Sequence, residues 1–361
     1  MSEKKRIAFF PVFADTLPII RYYGRYRSDV EIVELISPPG SCVCGKDAGY
    51  LDNREPIGMT VKSPDEANPD LWDELYVLRH DVLGLEENEV QEKLYNPMLS
   101  IAQSSNKSVR TVSSSKTDIK VSGTGSRKYK RQGVLNPIKK YVVFIGGVIG
   151  EANSFEVFLN LYGELRRNLR VAAFSTSENA EICDVVSLFS LVQERSLFEA
   201  EKVFAINNAI SNAIKETDAD LVVIHVEEAM MSFNNSLTNG FGIVPYMITQ
   251  IISPDFSICC LPCDCADPEF ITEFAQGLEG RFSFSPDVWH ISNALLDHSV
   301  ASEVQDANAI YVPIESIDRV IQLGNNAGLN IGSLVTDESI MKCAEDIIKD
   351  WEESQRVEIV N

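Results

Sequence analysis

The stretch from Tyr141 to Leu261 constrains the fold more than any other part of this chain. Four short apolar runs, Tyr141–Ile145, Val171–Phe174, Leu221–Val226 and Phe256–Leu261, are separated by segments whose apolar residues recur at helical spacing. Runs this short and this apolar read as strands buried on both faces. Strands of that kind alternating with helices form a parallel sheet covered on both sides. Right-handed crossovers then make the sheet doubly wound. Helices are predicted over 154–168, with Phe155, Phe158, Leu161, Leu165 and Leu169 on one face, over 196–215, and over 241–252 despite Pro245. Ala309–Val312 reads as a fifth strand, and 316–323 and 337–351 as closing helices.

The first 102 residues read as a smaller, Rossmann-like α/β unit. Its strands are predicted at Arg6–Phe10, Val30–Ile36 and Leu75–Leu78, and its helices at 16–26 and 86–102. A composition change follows. Residues 103–136 are rich in serine and nearly devoid of large apolar side chains, which predicts a flexible linker. The larger doubly wound unit occupies 137–361. The linker is basic, with Arg127-Lys128-Tyr129-Lys130-Arg131 its densest cluster, whereas the whole chain carries a net charge of −21. That charge disfavours nucleic acid as a partner, because phosphate repels it. No apolar run approaches the roughly 18 residues of a membrane span, so no membrane association is expected. Eight cysteines without an export signal fit reduced thiols in a cytoplasmic protein.

In an open α/β sheet, ligands bind outside the carboxyl ends of the strands, so the segments after each strand are the candidates. Gly146, Gly147 and Gly150, followed by Glu151, lie between a strand and a helix N-terminus, where glycines let backbone N–H groups turn toward an anion. The lysine that closes a Walker loop is missing, and the spacing fails G-x-G-x-x-G. The segment therefore resembles a P-loop without its functional lysine. A tight turn, an anion-binding loop and a hydrolytic loop all remain open here. After the Leu221 strand stand Glu227 and Glu228, with Asn234 and Asn235 beyond them. They suit acid–base work, hydrogen bonding to a ligand, or a solvated loop end. Cys260, Cys263 and Cys265 offer weak metal-ligand spacing, against the alternatives of inert core thiols and a redox pair. In the first unit, Cys42, Cys44, Lys46 and Asp47 gather thiols, a cation and an anion in the Ser37–Asp47 loop. His225 lies inside an apolar strand and reads as a core residue. The spacing reveals no Ser/His/Asp or Cys/His set, no catalytic residue and no cofactor.

Three segments carry a family resemblance: Ser37–Asp47, Val142–Gly150 with its following helix, and Met231-Ser232-Phe233-Asn234-Asn235 with Thr238-Asn239-Gly240-Phe241-Gly242-Ile243. Through them the chain resembles the clostridial peptide maturation system proteins, encoded among peptide natural-product genes. Glu227 and Glu228 stand where that family is richer in glycine. The resemblance implies an accessory role in maturing a ribosomally made peptide, with a precursor peptide or a peptide-modifying enzyme as partner. The alternative is an enzyme that binds a nucleotide or phosphorylated metabolite, a small anionic ligand, at Gly146–Gly150.

Overall fold

Strand order fixes which loops can meet a ligand. The computed structural model describes residues 4–79, 90–111, 133–150, 152–235, 237–296 and 309–360. In the first unit, β1 (Lys5–Phe10), β2 (Val30–Ile36), β3 (Val61–Lys62), β4 (Glu74–Val77) and β5 (Ser108–Thr111) form a parallel sheet in the order β3-β2-β1-β4-β5. Helix α1 (Leu17–Tyr26) joins β1 to β2. The helix expected over 86–102 is, in its described part, a π-helical turn at Gln91–Tyr95 leading into α2 (Asn96–Ser104). β5 lies inside the stretch expected to be linker. It pairs with β4 as an exposed edge strand, so the first sheet extends to Thr111. The basic cluster at 127–131 lies outside the described residues.

The second sheet contains β6 (Tyr141–Gly147), β7 (Val171–Ser175), β8 (Val186–Ser187), β9 (Leu221–His225), β10 (Phe256–Leu261) and β11 (Val288–Ile291). A last strand, β14 (Ile331–Gly332), completes it, all parallel, in the order β14-β11-β10-β6-β9-β7-β8. β6 is central and its neighbours are β9 and β10, so the chain fills one side of it and then the other. The expected fifth parallel strand at Ala309–Val312 is corrected. Ala309–Tyr311 is β13, antiparallel to β12 (Ala294–Leu296) in a separate ribbon. Its Ile310 is 55% exposed, too open for a strand covered on both faces.

The helices of this unit are α3 (Ser154–Leu165), α4 (Phe189–Gln193), α5 (Glu199–Thr217), α6 (Ile243–Thr249), α7 (Pro268–Phe282), α8 (Asp318–Asn326) and α9 (Asp337–Val360). All twelve residues of α3 are buried. It touches the second sheet on one side and α1 and α9 on the other. Its polar residues Glu156, Asn160 and Glu164 recur every four positions, forming one stripe on the helix. One hydrophobic cluster runs through both sheets, and a second lies under the far face of the first sheet with α2. α6 starts at Ile243 and not at 241, because Asn239, Gly240, Phe241 and Gly242 all have left-handed φ. Asn136, just before β6, is hydrogen-bonded to Asn207 and Asn208 of α5.

Candidate functional site

The first two glycines of the β6 segment belong to the strand, not to the loop. Gly146 and Gly147 are buried and end β6. A Cβ at 146 would lie 2.8 Å from Met230 Sδ, and one at 147 would lie 2.7 Å from the Ile149 carbonyl oxygen. Their lack of a side chain permits close packing rather than motion. Val148 and Ile149 are fully buried, and the Val148 N–H donates to the Cys260 carbonyl at 2.9 Å. Gly150 is the residue of this run that reaches solvent, and a Cβ there would come no closer than 3.8 Å, to the Glu227 carbonyl oxygen. Glu151 lies outside the described residues. The run placed between strand and helix by the sequence is thus a buried strand end followed by a short turn into α3.

Beside it, the ends of β7 and β9 hold a buried polar group. His225 Nε2 lies 3.0 Å from Ser154 Oγ, and Nδ1 lies 2.8 Å from Ser175 Oγ. Burial pushes this imidazole down to about 3, so it is neutral and internally satisfied. Thr176 Oγ1 donates to Glu228 Oε2 at 2.6 Å and accepts from the Glu227 N–H at 2.9 Å. Burial raises the Glu228 carboxyl above its ordinary range, with the Thr176 hydroxyl partly offsetting it. Asn234 accepts from the Leu237 N–H at 2.7 Å and closes a tight turn, while Asn235 is exposed. Asn239 Nδ2 reaches the Val148 and Met231 carbonyls at 3.5 and 3.4 Å and so ties this loop to the β6 turn.

Strand register sets Gly147, Cys260, His290 and Gly332 side by side across four strands. Cys259 and Cys260 are buried in β10, and burial raises both thiols. Cys263 and Cys265 sit in the following turn, pushed up to about 11 and about 12, chiefly by burial. These are protonated thiols, and Cys263 Sγ donates to the Ala294 carbonyl at 3.1 Å. Among the described residues no group of three His, Cys, Asp or Glu side chains is placed to hold a metal ion.

The first unit's loop is built around Asp47. Its carboxylate accepts from the N–H groups of Gly49, Ile57 and Gly58, each at 2.8 Å. Desolvation would raise this carboxyl, but these bonds outweigh it and hold it below its usual range. Lys46 Nζ lies 3.7 Å over the Tyr50 ring. Cys44 donates to the Ser37 and Pro38 carbonyls, and Cys42 is exposed. Asp47 and Cys44 thus shape the loop and Lys46 covers the Tyr50 ring, and the chain beyond it presents residues 52–54 to the second unit.

That contact is the feature sequence reasoning missed. Arg54 lies between Asp52 and Glu156, and Tyr22 Oη donates to Glu156 Oε1 at 2.8 Å. Glu156 sits in the first turn of α3, beside the carboxyl end of β6. Arg25 reaches Asn160 and Asp337, and Asn293 Nδ2 donates to the Asp52 carbonyl at 2.8 Å. His290 is fully buried. Its Nδ1 accepts from the Leu334 N–H at 2.9 Å, so the ring proton is on Nε2, which has no partner among the described residues. Burial, and secondarily Arg54, lowers it to about 3. Asn293 Oδ1 is likewise buried without a partner there. A cleft of about 790 Å³ opens along the seam. The one sequence signal was the Glu156–Asn160–Glu164 stripe on an otherwise apolar helix.

No protein-family model matches the chain, and no curated protein matches it either. Among solved structures, the chain is similar over 96% of its length to the whole of a DUF1611 family protein from Anabaena variabilis, at 12% identity and a TM-score of 0.53. That likeness is one of fold. Weaker likenesses run to a nucleotide-binding protein from Archaeoglobus fulgidus in complex with ADP (9% identity, TM-score 0.30, 59% of this chain and 90% of that one). A GTPase from Pyrococcus abyssi in apo form is weaker still (14% identity, TM-score 0.25, 45% and 69%). At that level neither bears on what this chain binds.

Proposed function

We propose that the carboxyl edge of the second sheet binds a nucleotide or another phosphorylated metabolite at the turn between β6 and α3. One observation carries this reading. β6 is the central strand, its neighbours belong to connections that run in opposite directions, and its carboxyl end leads through Gly150 straight into the N-terminus of α3. Ligands of open α/β sheets bind at such a switch point, and a helix N-terminus favours negative charge. Glu228 adds support, because burial favours its neutral form and so lessens the repulsion its sequence position suggests. Without a lysine in the turn the reading is one of binding, with no hydrolytic step assigned. The experiment is a thermal-shift titration with ATP, GTP and inorganic phosphate. A ligand at one hundred times its Kd stabilises the native state by about 2.7 kcal/mol. Gly150→Asp has room for its side chain, so it folds and abolishes the shift. Absence of any shift in the wild type, or its persistence in Gly150→Asp, refutes the site.

A second reading is an accessory role in peptide maturation, binding a precursor peptide or a modifying enzyme. It is favoured by Phe241, Ile243 and Tyr246, three large apolar side chains exposed at the start of α6. Co-purification of tagged protein with the precursor peptide encoded nearest its gene tests it. Association that survives Phe241→Ser with Tyr246→Ser, or no association at all, counts against it.

A further inference from the structure

We propose that Asn239-Gly240 is a site of spontaneous modification, at which the Asn239 side-chain amide closes onto the backbone nitrogen of Gly240 and is then hydrolysed. The Gly240 nitrogen gives its proton to solvent and bonds to Asn239 Cγ. The bond from Cγ to Nδ2 breaks, and the amide leaves as ammonia. Water then opens the succinimide ring at one of its two carbonyls, so that an aspartyl or isoaspartyl carboxylate stands where a neutral amide stood. Water is the only co-reactant.

This chemistry needs a backbone N–H that no side chain shields and no acceptor holds. Asn239-Gly240 is the one Asn-Gly pair in the chain. The Phe241 N–H donates to the Thr238 carbonyl at 2.8 Å, so Asn239 and Gly240 are the central residues of a tight turn. Their φ values, 51° and 57°, are both left-handed, and that demand is what selects Asn-Gly at such turns. Gly240 is exposed, puts no Cβ beside its nitrogen, and its N–H has no acceptor among the described residues. The attacked amide is lightly held. Asn239 Nδ2 reaches the Val148 carbonyl at 3.5 Å and the Met231 carbonyl at 3.4 Å, both longer than the usual N–H···O distance. Neighbouring asparagines lack this combination. Asn234 Oδ1 is fixed by the Leu237 N–H at 2.7 Å, and Asn235 precedes a serine, whose Cβ crowds the attacking nitrogen.

The same two contacts give the modification its consequence. They tie the 239–242 loop to the β6 turn, and Asn239 makes them as a donor. A carboxylate has no proton to give and would face two carbonyl oxygens. The isoaspartyl form also lengthens the backbone inside the turn. Either product therefore releases the loop from Val148 and Met231. The chemistry is independent of any ligand at the β6 turn.

The test is ageing of the full chain in warm, mildly alkaline buffer, followed by ion exchange and peptide mapping, beside a synthetic peptide of residues 235–243. A species with one added negative charge accumulates, and mapping places aspartate and isoaspartate at 239 before any other asparagine. Because only two long hydrogen bonds restrain the amide, the folded chain converts no more than about tenfold more slowly than the peptide. In Gly240→Ala the new Cβ has open space but shields the nitrogen, and conversion slows severalfold. Asn239→Gln, whose longer side chain must close a larger ring, yields no acidic species and serves if the alanine variant is unstable at a φ of 57°. Asn239→Asp, made directly, melts below the wild type, as the aged fraction does. The proposal is overturned if another asparagine converts first, or if 239 is intact when the peptide has fully converted. It is also overturned if both slowing variants convert like the wild type, or if Asn239→Asp and the aged fraction melt with fresh protein.

Discussion

Removing the Arg54 guanidinium strands one buried charge, and the cost follows from what each neighbour has left. The Arg54 side chain is 9% exposed, and those of Asp52 and Glu156 are 5% and 2% exposed. In Arg54→Met, Asp52 keeps its paired bonds to Arg21. Glu156 keeps only neutral partners, the Tyr22 hydroxyl at 2.8 Å and Asn153 Nδ2 at 3.2 Å. Breaking a buried pair typically costs about 3–5 kcal/mol, because the remaining charge is left uncompensated. With one of the two carboxylates still paired, the lower end applies, about 3 kcal/mol. For a chain of 361 residues unfolding as one unit that corresponds to a fall in Tm of about 4 °C. Adding Glu156→Gln removes the stranded charge while keeping an acceptor for Tyr22. The double variant is therefore more stable than Arg54→Met alone, with a coupling of about 2 kcal/mol in the mutant cycle. Urea unfolding at neutral pH measures all four proteins. A loss below about 1 kcal/mol for Arg54→Met, or single effects that merely add, would refute the view that this seam is a buried, charge-balanced joint.

Three further outcomes are expected. His225 and His290 are both held near 3 by burial, below the 6.5 of the unfolded chain, so the unfolded state takes up protons first as pH falls. Stability is full above pH 6.5 and declines as pH drops toward 3, by roughly 2–3 kcal/mol in the first unit of pH for the two together. Denaturant unfolding from pH 7 to 5 reads this, and an unchanged slope in His225→Gln contradicts it. Gly147→Ala drives a Cβ onto the Ile149 carbonyl oxygen and costs about 1–3 kcal/mol. Gly146→Ala meets the flexible Met230 side chain and costs under about 1 kcal/mol, and equal melting temperatures would overturn that contrast. Of the eight thiols, Cys42 is the exposed one, so a thiol reagent titrates one fast group in the native protein. Loss of that fast phase in Cys42→Ser checks the assignment.

What could be read in the sequence was whatever depends on local pattern. Tyr141–Ile145, Leu221–Val226 and Phe256–Leu261 had to be buried strands, because nothing else accommodates such runs beside amphipathic helices. Parallel pairing followed from that alternation. The helix α7 was not predicted, although its start carries a local signal: Asp267 accepts from the Glu269 and Phe270 N–H groups, and Pro268 sits at the first helical position. Short strands such as β3, β8 and β14 carry two residues each, too few to show a period. The partner of Ala309–Tyr311 was equally hidden, since pairing depends on which edge is free in space.

The candidate sites divide the same way. The position of the β6 turn at the carboxyl edge was set by chain order, a property of the sequence alone. That its first two glycines serve close packing was decided by the tertiary fold, with Met230, more than eighty positions away, folding back against Gly146. Likewise Arg21, Arg25 and Arg54 read as three basic residues in a row of loops and helices. Arg21 and Arg54 find Asp52 within the first unit, but Glu156 and Asp337 reach Arg54 and Arg25 only when α1 and α9 dock on α3. Local sequence dictates which elements form, because strand and helix patterns act over a few residues. Which charges stay free to meet a ligand depends on long-range pairing, and that the tertiary structure alone decided.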